Sequence, residues 1–146
     1  MIGGVSLSMD QLRHFRDLYS AVQLAPAKTI AVAAAQDPDV LSAVSEACHI
    51  ANASAILCGD RAKILSCAQA CGADLSSCTI EEAPTPAEAA YSAVRLIQDG
   101  KADIIMKGML DSSTFLKAIF AREFEFPGAF CPLLLLWILR NRTGYC

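Results

Sequence analysis

At 146 residues the chain has the length of a single domain, enough to bury roughly two thirds of its unfolded surface. Hydrophobic residues make up 54% and charged residues 18%, which excludes a disordered chain and predicts an interior built from Ala, Val, Leu and Ile. The net charge of -3, with Lys and Arg scattered rather than clustered, leaves no electrostatic footprint for nucleic acid.

The opening stretch MIGGVSLSMDQLRHF has no basic start followed by an apolar run, so it does not read as a secretory signal, and the cytoplasm is the expected compartment. Ser8 and Gln11 form a capping-box pattern, after which Leu12, Phe15, Leu18, Tyr19 and Val22 recur at helical spacing up to Pro26. The next run, Thr29 to Ala35, is short and continuously apolar, as expected of a buried strand. It ends at Asp37-Pro38, an N-cap followed by a proline suited to the first helical position. A helix from Pro38 to about Ile50 then sets Val40, Leu41, Val44 and Ala47 on one face. Ala53 to Cys58 gives a second strand, closed by Gly59-Asp60. Asp60 caps a helix carrying Ile64, Leu65 and Ala68, and Gly72 stops it.

Cys78 to Glu82 is a short third strand, and Thr85-Pro86 opens a helix with Ala89, Ala90, Ala93, Val94 and Ile97 turned inward as far as Gly100. Ala102 to Lys107 is the fourth strand, with Ile104, Ile105 and Met106 reading as covered on both faces. Strands alternating with helices predict parallel pairing through right-handed crossovers, hence an α/β fold: a three-layer α/β/α, Rossmann-like domain with a mainly parallel sheet. From Phe124 onward the rhythm breaks. Phe130 to Leu139 is an apolar run of ten interrupted by Pro132, too short for a membrane-spanning helix, which needs about twenty residues. The expected division is an α/β domain over 1–123 and an atypical apolar tail over 124–146.

Chemistry concentrates where strands meet helices. A lysine at the carboxyl end of a strand stands at the rim where open α/β sheets bind ligands. Lys107-Gly108 is followed by Ser112 and Ser113 at a helix start, a set suited to an anion such as phosphate. With no GxxxxGK(S/T) pattern, the residue types alone favour an ordinary exposed lysine beside a Ser-capped helix. Gly59 and Asp60 face the same rim, where Asp60 as a plain helix cap is again the favoured reading. His14 and His49 lack partners at catalytic spacing. Of the seven cysteines, Cys67 and Cys71 would share a helix face, but there is no CxxC pair, all seven read as reduced thiols, and no metal is expected.

Three segments together resemble the phosphate acetyltransferase and phosphate butyryltransferase family, with the greater similarity to the butyryl-type branch: KTIAVAAAQDPDVLSAV, ANASAILCGDRAKI and GKADIIMKGMLDSSTFLKAIFARE. The resemblance runs from about Phe15 to Glu123. It implies exchange of a short acyl group between coenzyme A and inorganic phosphate, with coenzyme A as a substrate, no other cofactor and no covalent intermediate. It aligns Lys107, Gly108 and Ser112 with the family's cleft-lining loop. Members are longer, and a second α/β region supplies the phosphate-binding arginine and the serine and aspartate assigned to thiol activation, none of which has a counterpart here. Residues 124–146 therefore read as a truncated or frame-shifted end, and the chain alone as inactive or very weak. The implied partners are a coenzyme A thioester and phosphate or acyl phosphate, with a homodimer as a candidate assembly and neither nucleic acid nor membrane. Two other readings stay open: a non-catalytic module holding a nucleotide or coenzyme A at the rim, and an interaction fragment whose apolar tail needs cover.

Overall fold

The computed structural model describes residues 26–121. The expected N-terminal helix before Pro26 and the tail over 124–146 lie outside them. Within them run β1 (Thr29–Ala33), α1 (Pro38–Ala51), β2 (Ser54–Gly59), α2 (Arg61–Cys71), β3 (Cys78–Glu82), α3 (Pro86–Gln98), β4 (Ile104–Lys107) and α4 (Ser112–Ile119).

The helices begin where short polar side chains can take up otherwise unpaired N–H groups. Asp37 accepts from the Val40 N–H, Asp60 from that of Lys63, and Thr85 from that of Glu88, with prolines in the first turn of α1 and α3. At the far ends, Asn52 (φ 48°) and Gly72 (φ 69°) adopt the left-handed conformation that turns α1 and α2 back toward the sheet.

All strand pairs are parallel, in the order β3-β2-β1-β4. Alternation along β1 sends its side chains to opposite faces. Val32 joins Leu41, Val44, Leu57, Ile64 and Ala68 under α1 and α2. Ala31 and Ala33 join Ala89, Ala90, Ala93, Val94, Phe115 and Ala118 under α3 and α4. Helices on both faces of one parallel sheet make the expected three-layer α/β/α domain. Alanines on both sides of the second interface let α3 lie close to β1, and Phe115, only 1% exposed, fills the space beside them.

Chain direction reverses beside β1. The first two crossovers build outward to β3 along one face, and the third passes back over the other face to set β4 on the opposite side of β1. β4 corrects one expectation: the described residues do not cover it on both faces. It stands at one edge of the four described strands, paired among them only with β1, and Ile104 is 48% exposed while Ile105 and Met106 are half-buried. It also starts later than expected. Ala102 N–H closes the turn after α3 onto Leu96 O, and Asp103 accepts from the Thr29 N–H at 3.0 Å and pairs with Lys28 at 2.9 Å. No helix among the described residues is long and apolar enough to cross a membrane.

Candidate functional site

The reversal beside β1 opens the sheet's carboxyl rim between the ends of β1 and β4, the position at which doubly wound sheets take ligands. Two backbone bonds join the loops there: Gly108 N–H donates to Ala33 O and Met109 N–H to Ala34 O, both at 2.8 Å. Gly108 sits so tightly against this neighbour that a Cβ would meet the carbonyl oxygens of Ala34 and Ala33 and the carbonyl carbon of Ala34. Its lack of a side chain thus serves contact between two loops.

Ala34 itself has φ 58°, a left-handed conformation that costs an alanine about 1 kcal/mol or more, and is fully buried. It is held by its bond to Met109 and by the next residue, since Ala35 N–H donates to Cys58 O at 3.1 Å. The end of β1 is therefore tied to the ends of both flanking strands.

Lys107, opposite Ala33 in the β1–β4 register, is half-buried and makes no ion pair with another described residue. Gly59 and Asp60 stand on the other side of β1. Cys58 and Lys107 are both register partners of Ala33, which separates the two groups by about 10 Å, two inter-strand spacings. All six candidate residues thus share one rim without forming one cluster.

Two candidate residues belong to the start of α4, where Asp111 rather than a serine is the N-cap. Its carboxylate accepts from the Thr114 N–H at 2.8 Å and from the hydroxyls of Ser113 and Thr114. Ser112 is the first helical residue. The Ser113 hydroxyl first, then that of Thr114, holds the Asp111 carboxyl well below the usual carboxylate range. This helix start already faces an internal negative charge, so Ser113 is engaged in capping. Asp60 is likewise held low, first by the Lys63 N–H, with the Lys63 ammonium 3.4 Å away.

Because the folded pKa of Asp111 is depressed, its contribution to stability is complete above the unfolded carboxylate pKa of about 4 and fades as pH falls toward the folded value. Thermal melts of Asp111→Ala should therefore fall below wild type by about 5 °C at pH 7, a gap that narrows progressively below pH ~4. A gap independent of pH would refute this account of the cap.

Two further rim features carry no sequence signature. Gln36 lays its amide over Gly59, where a Cβ would strike Oε1, and this buried oxygen has no hydrogen-bond partner among the described residues. Beside it, Gln36, Asp60, Ala62, Lys63, Ser66 and Cys67 line an open depression of about 420 Å³ on the α2 side, away from Lys107. Arg61 and Glu82 lock the end of β3 to α2: the Arg61 N–H donates to Glu82 Oε2 at 3.3 Å and its guanidinium to Ile80 O at 3.2 Å. No set of three or more His, Cys, Asp or Glu side chains among the described residues is placed to hold a metal ion.

No family model matches the chain. Individual proteins do. It is 40% identical over 111 residues to a phosphate butyryltransferase of Clostridium beijerinckii and 38% identical over 112 residues to one of Clostridium acetobutylicum, covering 76% and 77% of this chain. A probable phosphate butyryltransferase of Bacillus subtilis is 35% identical over 108 residues, 74% of the chain. Among solved structures, a branched-chain phosphotransacylase from Enterococcus faecalis V583 shares the fold with a TM-score of 0.54 at 24% identity, over 66% of this chain and 33% of that one. The chain spans only 36–37% of the length of the three butyryltransferases. Its sequence over about three quarters of its length, together with a four-stranded parallel α/β domain, makes it a member of the phosphate butyryltransferase family that corresponds to part of those proteins.

Proposed function

We propose that this chain contributes one wall of the substrate cleft of a cytoplasmic phosphate acyltransferase, moving a short acyl group, butyryl in preference to acetyl, between coenzyme A and inorganic phosphate. In one direction a coenzyme A thiolate attacks the carbonyl of an acyl phosphate and phosphate leaves. In the other, phosphate attacks the thioester and the thiolate leaves. Both pass through a tetrahedral oxyanion, so the protein's task is to hold two anionic substrates together and offset their charge.

The observation that carries this reading is Lys107, an ammonium with no carboxylate partner among the described residues, at the reversal point of the sheet in a chain similar to butyryltransferases. Its role is to bind a phosphate of coenzyme A or the transferred phosphate by a charge-assisted hydrogen bond. Gly108 and Ser112 shape the loop around it, and Gly59 and Asp60 form the opposite margin. The catalytic groups are expected in the part of the family's length that this chain does not span, so turnover needs that remainder or a partner chain. A second copy of the chain is a candidate for that partner.

Titration calorimetry should detect coenzyme A binding to the chain, weakened about tenfold or more in Lys107→Ala, the loss of one hydrogen bond to a charged group. The variant should melt like wild type. Butyryl-CoA with phosphate should release no thiol. Equal affinity in wild type and variant would remove Lys107 from the site, and robust turnover by the chain alone would overturn the incomplete-cleft reading.

A further inference from the structure

We propose that Met109 is a specificity-determining residue that receives the hydrocarbon part of the acyl group and favours butyryl over acetyl. The inference rests on the acyltransferase reading above and deepens it, since the Lys107 ammonium recognises phosphate but does not tell one acyl chain from another.

Among the described residues, the large apolar side chains left exposed are those of Leu65, Tyr91, Ile104, Met109 and Phe120. Leu65 lies within α2, Tyr91 within α3, Ile104 opens β4 at the amino end of the sheet, and Phe120 follows α4 at its far end. Met109 alone of these stands at the carboxyl rim, 59% exposed and two residues after Lys107. Isolated exposed apolar residues are common and mean little by themselves. Met109 differs in how firmly its backbone is held. Its N–H donates to Ala34 O and that of Gly108 to Ala33 O, both at 2.8 Å, and Leu110 N–H turns back to Gly108 O at 3.0 Å. The last bond closes a three-residue γ-turn centred on Met109, in the inverse form that an L residue adopts with negative φ. Leu110 then packs onto the Phe115 cluster while Met109 stays outside it. A flexible, polarisable side chain is thus presented to the rim from a fixed backbone.

Charge orders a ligand along this loop. Lys107, Met109 and Asp111 follow one another at intervals of two residues, a cation, an apolar group and an anion. The Asp111 carboxylate, committed to Ser113 and Thr114, repels phosphate from the start of α4. The phosphate therefore lies toward Lys107, and the uncharged acyl part has Met109 beside it. The dimensions agree: Cα atoms two residues apart are at most about 7.6 Å from one another, and reacting phosphate and carbonyl groups approach to about 3 Å. Acetyl ends in one methyl group, whereas butyryl carries two further methylenes that the methionine side chain can cover.

Titration calorimetry of the full chain with coenzyme A, acetyl-CoA and butyryl-CoA tests this. Wild type should bind butyryl-CoA about fivefold more tightly than acetyl-CoA, the effect of two partly buried methylenes. In Met109→Ala the ratio should fall below about twofold, and Met109→Leu should keep it. Both variants should melt like wild type, because the side chain is exposed. Lys107→Ala should weaken all three ligands by a common factor and leave the ratio unchanged. A wild-type ratio near one, or a ratio that survives in Met109→Ala, would overturn this inference while Lys107-dependent binding of coenzyme A upheld the acyltransferase reading. Equal loss of all three ligands in Met109→Ala would also overturn it, placing Met109 against the coenzyme A arm instead. Failure of all three to bind would overturn the acyltransferase reading and this inference with it.

Discussion

Gly108→Ala is expected to destabilise the domain by about 3 kcal/mol or more, lowering the melting temperature by about 15 °C. The reason is the nature of the obstacle. A new methyl group would lie 2.8 Å from Ala33 O and 2.9 Å from the Ala34 carbonyl carbon, with Ala34 O nearer still, and these are backbone atoms that no rotamer change can remove. Relief requires the loop after β4 to move off the end of β1, breaking the bonds from Gly108 and Met109 N–H to Ala33 and Ala34 O. Since Ala34 is held in its left-handed conformation partly by the second of these, the damage spreads to β1. A melting temperature within about 3 °C of wild type would show that the two loops are less tightly joined than their geometry requires.

Phe115→Ala tests the other side of the same region and should cost about 3–5 kcal/mol. Phe115 is among the largest fully buried side chains, and its neighbours in the cluster are mainly alanines. Small, short residues on strand and helix cannot extend to fill the space it leaves, so the cavity persists. α4 depends on this anchor, because its eight residues are too few to be stable as an isolated helix. Urea titration should show the loss as a lower midpoint at nearly unchanged slope. A cost below about 1 kcal/mol would mean that α4 does not pack through Phe115.

Much of the fold is legible locally because its signals are local. Asp37-Pro38, Asp60, Thr85-Pro86 and Gly72 act within a few residues, and each occupies the helix-terminal role expected of it. Continuous apolar runs marked β1 and β2, the two inner strands of the sheet. The same rule failed for β4 because Ile104, Ile105 and Met106 are apolar whether or not a further strand covers them, and edge position depends on sheet order. The order itself has no local signature. The Asp111 cap was obscured by the two serines after it, as all three are cap formers. Ala34 was invisible for a different reason: alanine does not favour positive φ, and only bonds to distant residues hold it there. Lys107 stood out early because a charge ending an apolar run is conspicuous. Gly108 was singled out as part of an anion-binding set, whereas in the structure its tight neighbour is the backbone of the β1 loop.

The central strand of this sheet is made early during synthesis and completed late. β1 can pair with β2 once the chain reaches Gly59, but its other edge receives Ile104 to Lys107 only after two more helices and β3 have been made. The contacts from Lys28 and Thr29 to Asp103 bridge 75 and 74 residues. On the ribosome, then, a nascent chain carries an open parallel edge of Ile30, Ala31 and Val32 throughout that interval, a surface on which chaperones or sister chains can act before the domain closes.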